Sequence, residues 1–189
     1  MVDVLTHRGS GIERAIKTPV KIKNLQTGAE IDSFGLWDTG ATGSAITAAA
    51  AKRLGLTLVS MTEVGGVHGK EIVPVYDVQL TLNNQNISIR VRVTEGKAVS
   101  FSREGDADIL IGMDIITLGD LCISNYNGQT VMTFRFPSLT TTDFCKEVEE
   151  HNRCLKIHEL NIKKGLPDKC ACGSGKDYKN CHGKSLYHK

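Results

Sequence analysis

The sequence predicts a mainly β protein that ends in a helix and a small cysteine-rich tail. Three observations carry that prediction. Residues 18–24, 31–37, 86–93 and 130–136 alternate apolar and polar side chains or run rich in β-branched and aromatic residues, the pattern of half-buried strands. Clusters of glycine, asparagine and threonine punctuate these runs where turns are needed. From Asp143 the period changes: Phe144, Val148, His151, Leu155, His158 and Ile162 follow at steps of four and three, the spacing of one helical face.

In chain order, residues 1–17 lack a clear period, and Gly9-Ser10-Gly11 predicts a loose N-terminal arm. Residues 18–24 read as a strand, 26–29 as a turn and 31–37 as the returning strand, so this hairpin feeds Asp38 directly. Asp38-Thr39-Gly40-Ala41 then forms a turn of small residues, where Gly40 and Gly43 let the backbone fold closely around one carboxylate. Residues 47–55, rich in alanine and closed by Gly55, predict a short helix. Residues 57–64 and 72–82 flank Gly65-Gly66-Val67-His68-Gly69-Lys70, a β hairpin with a glycine-rich tip. In the next strand Ile87, Ile89, Val91 and Val93 should face a core while Arg90 and Arg92 face water. Residues 100–105 read as a polar loop, 109–111 as a buried run and 113–118 as a short helix. Residues 121–124 and 130–136 make a last hairpin, which Pro137 closes. Gly165 and Pro167 stop the final helix; Cys145, His151, Cys154 and His158 raise a second metal site as the alternative, while cysteine and histidine on an apolar helical face read first as packed residues.

At 189 residues and 40% apolar content the chain can bury one core of ordinary size with a small appendage. The net charge of +2 is unevenly spread. Residues 163–189 hold seven lysines against Asp168 and Asp177, a balance of +5 that leaves −3 for residues 1–162. These lysines have little aromatic interleaving, which makes nucleic acid an unfavoured partner. Neither a membrane-spanning run nor the apolar segment of a signal peptide is present, which predicts a cytoplasmic protein without a membrane partner. Six cysteines do not form an evenly spaced disulfide framework, and three crowd into the last twenty residues beside a histidine. A reducing compartment and a metal suit that pattern.

Asp38-Thr39-Gly40-Ala41 resembles the catalytic signature of the aspartic proteases, in particular the retropepsin family. Some seventy residues later Ala107-Asp108-Ile109-Leu110-Ile111-Gly112-Met113-Asp114 resembles the hydrophobic-hydrophobic-glycine element that packs beneath the catalytic turn in that family. The resemblance spans residues 18–137 and implies a retropepsin-like acid-protease closed β-barrel. It implies further that Asp38 is the catalytic carboxylate, that Thr39 hydrogen-bonds across a dimer interface, and that Gly40 lets the backbone approach the carboxylates. Pepsin-like enzymes carry two such turns in one chain. Here there is one, so a catalytic pair requires a homodimer with Asp38 facing Asp38′. The glycine-rich tip at 65–70 lies where the family has its flap, with His68 near its end. Trp37 departs from the family's usual small or aliphatic residue before the catalytic Asp; alternation points it away from Asp38, into the core or the dimer interface. The implied activity is hydrolysis of a peptide or protein substrate by activated water, with no cofactor in catalysis. The alternative is a retropepsin-fold protein that binds extended peptides as an adaptor and cleaves little or nothing.

Cys170, Cys172, Cys181 and His182 supply three thiolates and an imidazole, the donor set that tetrahedral Zn²⁺ prefers, with Gly173, Gly175 and Gly183 letting a short chain close around an ion. The stretch is too small to bury a core, so a structural metal would supply most of its folding free energy. It resembles the SEC-C motif, the zinc-binding module at the C-terminus of the bacterial translocation ATPase SecA, where it binds a chaperone. A protein partner for the module is thereby implied. The expected organisation is an N-terminal arm at 1–17, a protease domain at 18–137, a helical linker at 138–167 and a zinc module at 168–189.

Overall fold

Alternation along each run becomes a ring of strands in three dimensions. The computed structural model describes residues 1–66, 69–84, 86–96, 107–164 and 169–183. Two compact units divide the chain, Met1–Thr140 and Thr141–Lys189.

In the first unit β1 (Asp3–Arg8) precedes the hairpin of β2 (Lys17–Asn24) and β3 (Glu30–Trp37); β4 (Ala45–Thr47) leads into α1 (Ala48–Arg53). The long hairpin of β5 (Ser60–Gly66) and β6 (Gly69–Leu82) comes next, then β7 (Ser88–Gly96), β8 (Ala107–Ile111), α2 (Met113–Ile116), β9 (Asp120–Ser124) and β10 (Val131–Phe136). Hydrogen-bonded order runs β2-β3-β8-β4-β7-β6, and β6 pairs back onto β2. That pairing closes a six-stranded barrel, which leaves these strands no free edge within the ring. β5 hangs from β6 as the outer arm of its hairpin.

Ile22, Ile46, Val78, Leu80, Ile109 and Ile111 are fully buried in the barrel. In β7 and just before it, Ile87 and Val93 are buried completely and Ile89 nearly so, while Val91 is half-buried. Arg90 is exposed and Arg92 meets Asp77 at 3.0 Å on the surface. The period-two reading of this strand therefore matches its placement. Thr47 caps α1, its side-chain oxygen accepting from the Ala50 amide at 3.2 Å.

Residues 1–17, expected to form a loose arm, contain a strand instead. β1, β10 and β9 make a separate antiparallel sheet in the order β1-β10-β9, with Leu5 opposite Phe134. Leu5, Met132 and Phe134 are buried, and the Phe134 ring lies 5.1 Å from that of Trp37. Burial of Leu5 is what holds the arm, with β10 supplying the ladder. Trp37 is thus a core residue, and its Nε1–H donates to the buried Thr18 Oγ1 at 3.0 Å.

The second unit consists of α3 (Phe144–Lys163) and the cysteine-bearing turns after it. Asp143 caps α3, accepting from the Cys145 amide at 3.1 Å. The helix is where the periodicity predicts it, but the face that packs is a different one. Phe144, Val148 and Ile162 are 62%, 53% and 53% exposed, whereas Asn161 is fully buried and Cys154, Ile157 and His158 are half-buried. No helix among the described residues is long and apolar enough to cross a membrane. The expected flap tip with His68, the loop at 100–105 and the helix stop at Gly165 and Pro167 lie outside the described residues.

Candidate active site and candidate metal centre

β3 runs parallel to β8, with Gly35 opposite Ile109 and Trp37 opposite Ile111. A side chain at Gly35 would place its Cβ 2.7 Å from the Ile111 Cδ1 methyl, so the Ile111 side chain packs over a position left open by glycine and would have to shift to admit any other residue. The Asp38 amide donates to the Ile111 carbonyl at 3.0 Å, one step beyond the ladder, and there the chain turns. Ala41 N donates to the Asp38 carbonyl at 3.3 Å, and the Gly40 amide donates to Asp38 Oδ1 at 2.8 Å. Asp38 is half-buried, while Thr39 and Gly40 are exposed. The carboxylate is oriented from within its own turn and keeps access to solvent.

The turn rests on the segment linking β8 to α2. Met113 N donates to the Ala41 carbonyl at 2.8 Å and Asp114 N to that of Thr42 at 3.2 Å. At Gly112 an added Cβ would stand 2.6 Å from the Gly43 backbone, which leaves no room for any other residue. Two side chains that sequence reading passed over lock this seat. Asp114 accepts from the Ser44 amide at 2.9 Å through Oδ2 and from Ser44 Oγ–H at 2.7 Å through Oδ1. Ser44, almost wholly buried, accepts in turn from the Gly112 amide at 3.0 Å. The signal for Asp114 was its place directly after Ile111-Gly112-Met113; nothing in the sequence marked Ser44. A second carboxylate, Asp108, accepts from Ser33 Oγ–H at 2.7 Å and Thr47 Oγ1–H at 3.1 Å and pairs with Arg53, tying α1 to β3 and β8.

In the second unit Cys170, Cys172, Cys181 and His182 converge: their ligand atoms all lie within 4.8 Å of one another. Zinc–sulfur bonds of about 2.3 Å in a tetrahedron put two sulfurs about 3.8 Å apart. Cys172 Sγ and Cys181 Sγ are 3.7 Å apart, and His182 Nδ1 lies 3.5 Å from Cys170 Sγ and 3.2 Å from Cys181 Sγ. The donor set and its spacing are compatible with zinc. Hydrogen bonds from Ser174, first its hydroxyl and then its backbone amide, lower the Cys172 thiol to about 6, toward the thiolate that a metal requires. Of the helix residues read as packed, His158 stacks on Tyr178 with ring centroids 5.8 Å apart, Cys154 is half-buried and His151 is exposed.

The profile of the aspartyl protease family matches residues 19–115, and that of the SEC-C motif matches residues 167–184. No curated protein matches the chain. Among solved structures it is similar to a retropepsin-like aspartic protease from Rickettsia conorii, at 12% identity and a TM-score of 0.44 over 71% of this chain and 95% of that one. It is similar also to EIAV protease in complex with an inhibitor (24%, TM-score 0.36, 56% of this chain and 88% of that one). A third is the retroviral protease-like domain of Ddi1 from Leishmania major (21%, TM-score 0.34, 61% and 90%). Since the family profile covers just over half of the chain and spans both the Asp38 turn and its seat on α2, this chain belongs to the aspartyl protease family, with a SEC-C motif following in the sequence at residues 167–184.

Proposed function

We propose that the protein is a homodimeric aspartic endopeptidase in which Asp38 of each copy forms the catalytic pair. The observation that carries this reading is the seating of Asp38: a half-buried, solvent-accessible carboxylate held by the Gly40 amide on a turn braced by α2. One chain offers one such turn, so a second copy supplies the other. Two carboxyl groups brought that close do not both stay ionised; they share a proton and titrate as a unit. The ionised member takes a proton from a water molecule, and the protonated member donates to the carbonyl oxygen of the scissile peptide. The water oxygen bonds to the carbonyl carbon, the carbon–nitrogen bond then breaks, and the leaving amine takes the proton. No covalent bond to the enzyme forms.

Thr39 ties the two turns together across the interface, and Gly40 leaves space for the approach. The β5–β6 hairpin closes over an extended peptide whose backbone pairs with it. Residues 18–137 carry the chemistry and residues 168–189 hold a structural zinc through Cys170, Cys172, Cys181 and His182. That module recruits a partner or substrate and takes no part in hydrolysis. We place the enzyme in the cytoplasm.

The test is cleavage of a mixed peptide library, read by mass spectrometry from about pH 4 to 7, for the wild type beside Asp38→Asn. Asparagine keeps the size of the side chain and cannot act as the base. Products made by the wild type and absent with the variant support the reading. Equal silence from both, with a dimer confirmed by sedimentation, sinks it in favour of a peptide-binding adaptor.

A further inference from the structure

Asn161 sits in the middle of the last turns of α3 and is fully buried, an unfavourable choice for a helix interior unless each polar atom has a partner. Its partners are specific. Oδ1 accepts from the Ala171 amide at 2.9 Å; Nδ2 donates to the Ile157 carbonyl at 2.7 Å and lies 3.9 Å from Cys170 Sγ. Ala171 is the single residue between Cys170 and Cys172, so Asn161 grips the first pair of ligands by its backbone and by one sulfur.

One turn back on the same face, His158 hydrogen-bonds the Tyr178 hydroxyl and stacks on its ring. The Tyr178 carbonyl accepts from the amides of Cys181, itself a ligand, at 3.0 Å and of Gly183, next to His182, at 2.9 Å. Two helix residues three apart therefore reach both halves of the cluster. Most apolar residues of α3 do not compete for this role: Phe144, Val148, Leu155 and Ile162 are exposed, and Ile157 is only half-buried. Most of a helix's stability within a protein comes from packing rather than from intrinsic propensity, and on α3 the packed groups include Asn161 and His158.

We propose that α3 belongs to the metal centre as its outer shell, with Asn161 as the positioning residue that donates to the Cys170 thiolate and fixes the Cys170–Cys172 turn. The inference rests on zinc occupying the four-ligand cluster. Three thiolates on one divalent ion leave excess negative charge on sulfur, and an N–H donor beside one of them relieves it. Metal binding and helix formation are then one event: the ion orders the turns, the turns bury Asn161 and His158, and α3 is held. What looks like a linker in sequence is a wall of the site.

The experiment uses the full chain. Asn161→Asp keeps an oxygen for the Ala171 amide and removes the N–H; Asn161→Leu removes both; Asn152→Asp, on the exposed side of α3, is the control. Zinc affinity is read by competition with a chromophoric chelator, and cobalt substitution reports the thiolate-to-metal charge-transfer band. Both Asn161 variants are expected to lose about 10- to 100-fold in affinity, and Asn161→Asp to shift the charge-transfer band to longer wavelength, with Asn152→Asp unchanged in both. A purely architectural asparagine would not move that band. Chelating the wild type is expected to remove helical ellipticity equivalent to α3 while the β signal persists. Wild-type affinity and an unmoved band in both Asn161 variants would overturn the proposal, as would a chelated chain that keeps its helix. A wild type that takes up neither zinc nor cobalt defeats the metal reading itself, an outcome separable from the other two.

Discussion

Ser44 is enclosed on three sides, by the Asp114 carboxylate twice and by the Gly112 amide once, and it lies six residues from the carboxylate it helps to aim. Removing Asp114 would strand a buried hydroxyl and a buried amide, at a cost of about 1–3 kcal/mol for each unsatisfied group. Asp114→Ala is therefore expected to lower the urea midpoint of unfolding clearly. Asp114→Asn, which keeps one acceptor oxygen, is expected to fall between the variant and the wild type. Catalysis should suffer beyond stability, because the pair fixes where the Asp38 turn sits. In the proposed enzyme, kcat for Asp114→Ala is expected to drop by about 100-fold with KM little changed, since small displacements of a reacting group cost that much. Wild-type kcat in a folded Asp114→Ala protein would show that the turn holds itself.

Among the elements, β9 and β10 meet at a carboxylate. Asp120 accepts from Ser138 Oγ–H at 2.6 Å, from the Leu139 amide at 2.9 Å and from Arg135 Nε–H at 2.9 Å, and so pins the chain where the first unit ends. Ser138 first, then Leu139 and Arg135, hold its carboxyl far below the usual carboxylate range. A folded-state pKa below the unfolded value stabilises the protein at any pH above the unfolded value, about 3.9, and the benefit fades as pH falls below it. Asp120→Asn is thus expected to be less stable than the wild type at pH 5 to 7, with the gap narrowing below about pH 4; urea midpoints across that range measure it. Legibility from sequence also divides by element. The barrel strands were readable because one face of each is buried, as Ile87, Ile89 and Val93 illustrate. β1 was not, because its partner β10 lies more than a hundred residues away and only Leu5 of its side chains is buried. α3 was readable as a helix and misread as to its face: hydrophobic spacing cannot flag Asn161, whose burial is set by hydrogen bonds to the ligand turns. The site divides likewise, since the Asp38 turn is local and carries a motif, whereas Ser44 and Asp114 are seventy residues apart and meet only on folding.

At the scale of the molecule, the two units draw on different sources of stability. The first has a closed barrel with an apolar core, the second four clustered ligand groups and a helix packed through polar contacts. Loss of metal should consequently spare the barrel, and any dependence of cleavage on the tail would concern recruitment. The proposed dimer makes a sharper demand, because each chain brings a single Asp38 turn. Mixing wild-type chains with Asp38→Asn chains forms heterodimers in which a carboxamide faces a carboxylate and the shared proton is lost. If copies exchange freely and dimerise fully, wild-type homodimers scale with the square of the wild-type fraction. At constant wild-type concentration, an equal amount of variant is expected to cut activity to about half, and a threefold excess to about a quarter. Independent chains would instead give no change at any ratio. Diluting the wild type alone checks the same point: specific activity is expected to fall as the dimer dissociates, and a flat profile down to concentrations where sedimentation finds only monomer would refute a catalytic site shared between two copies.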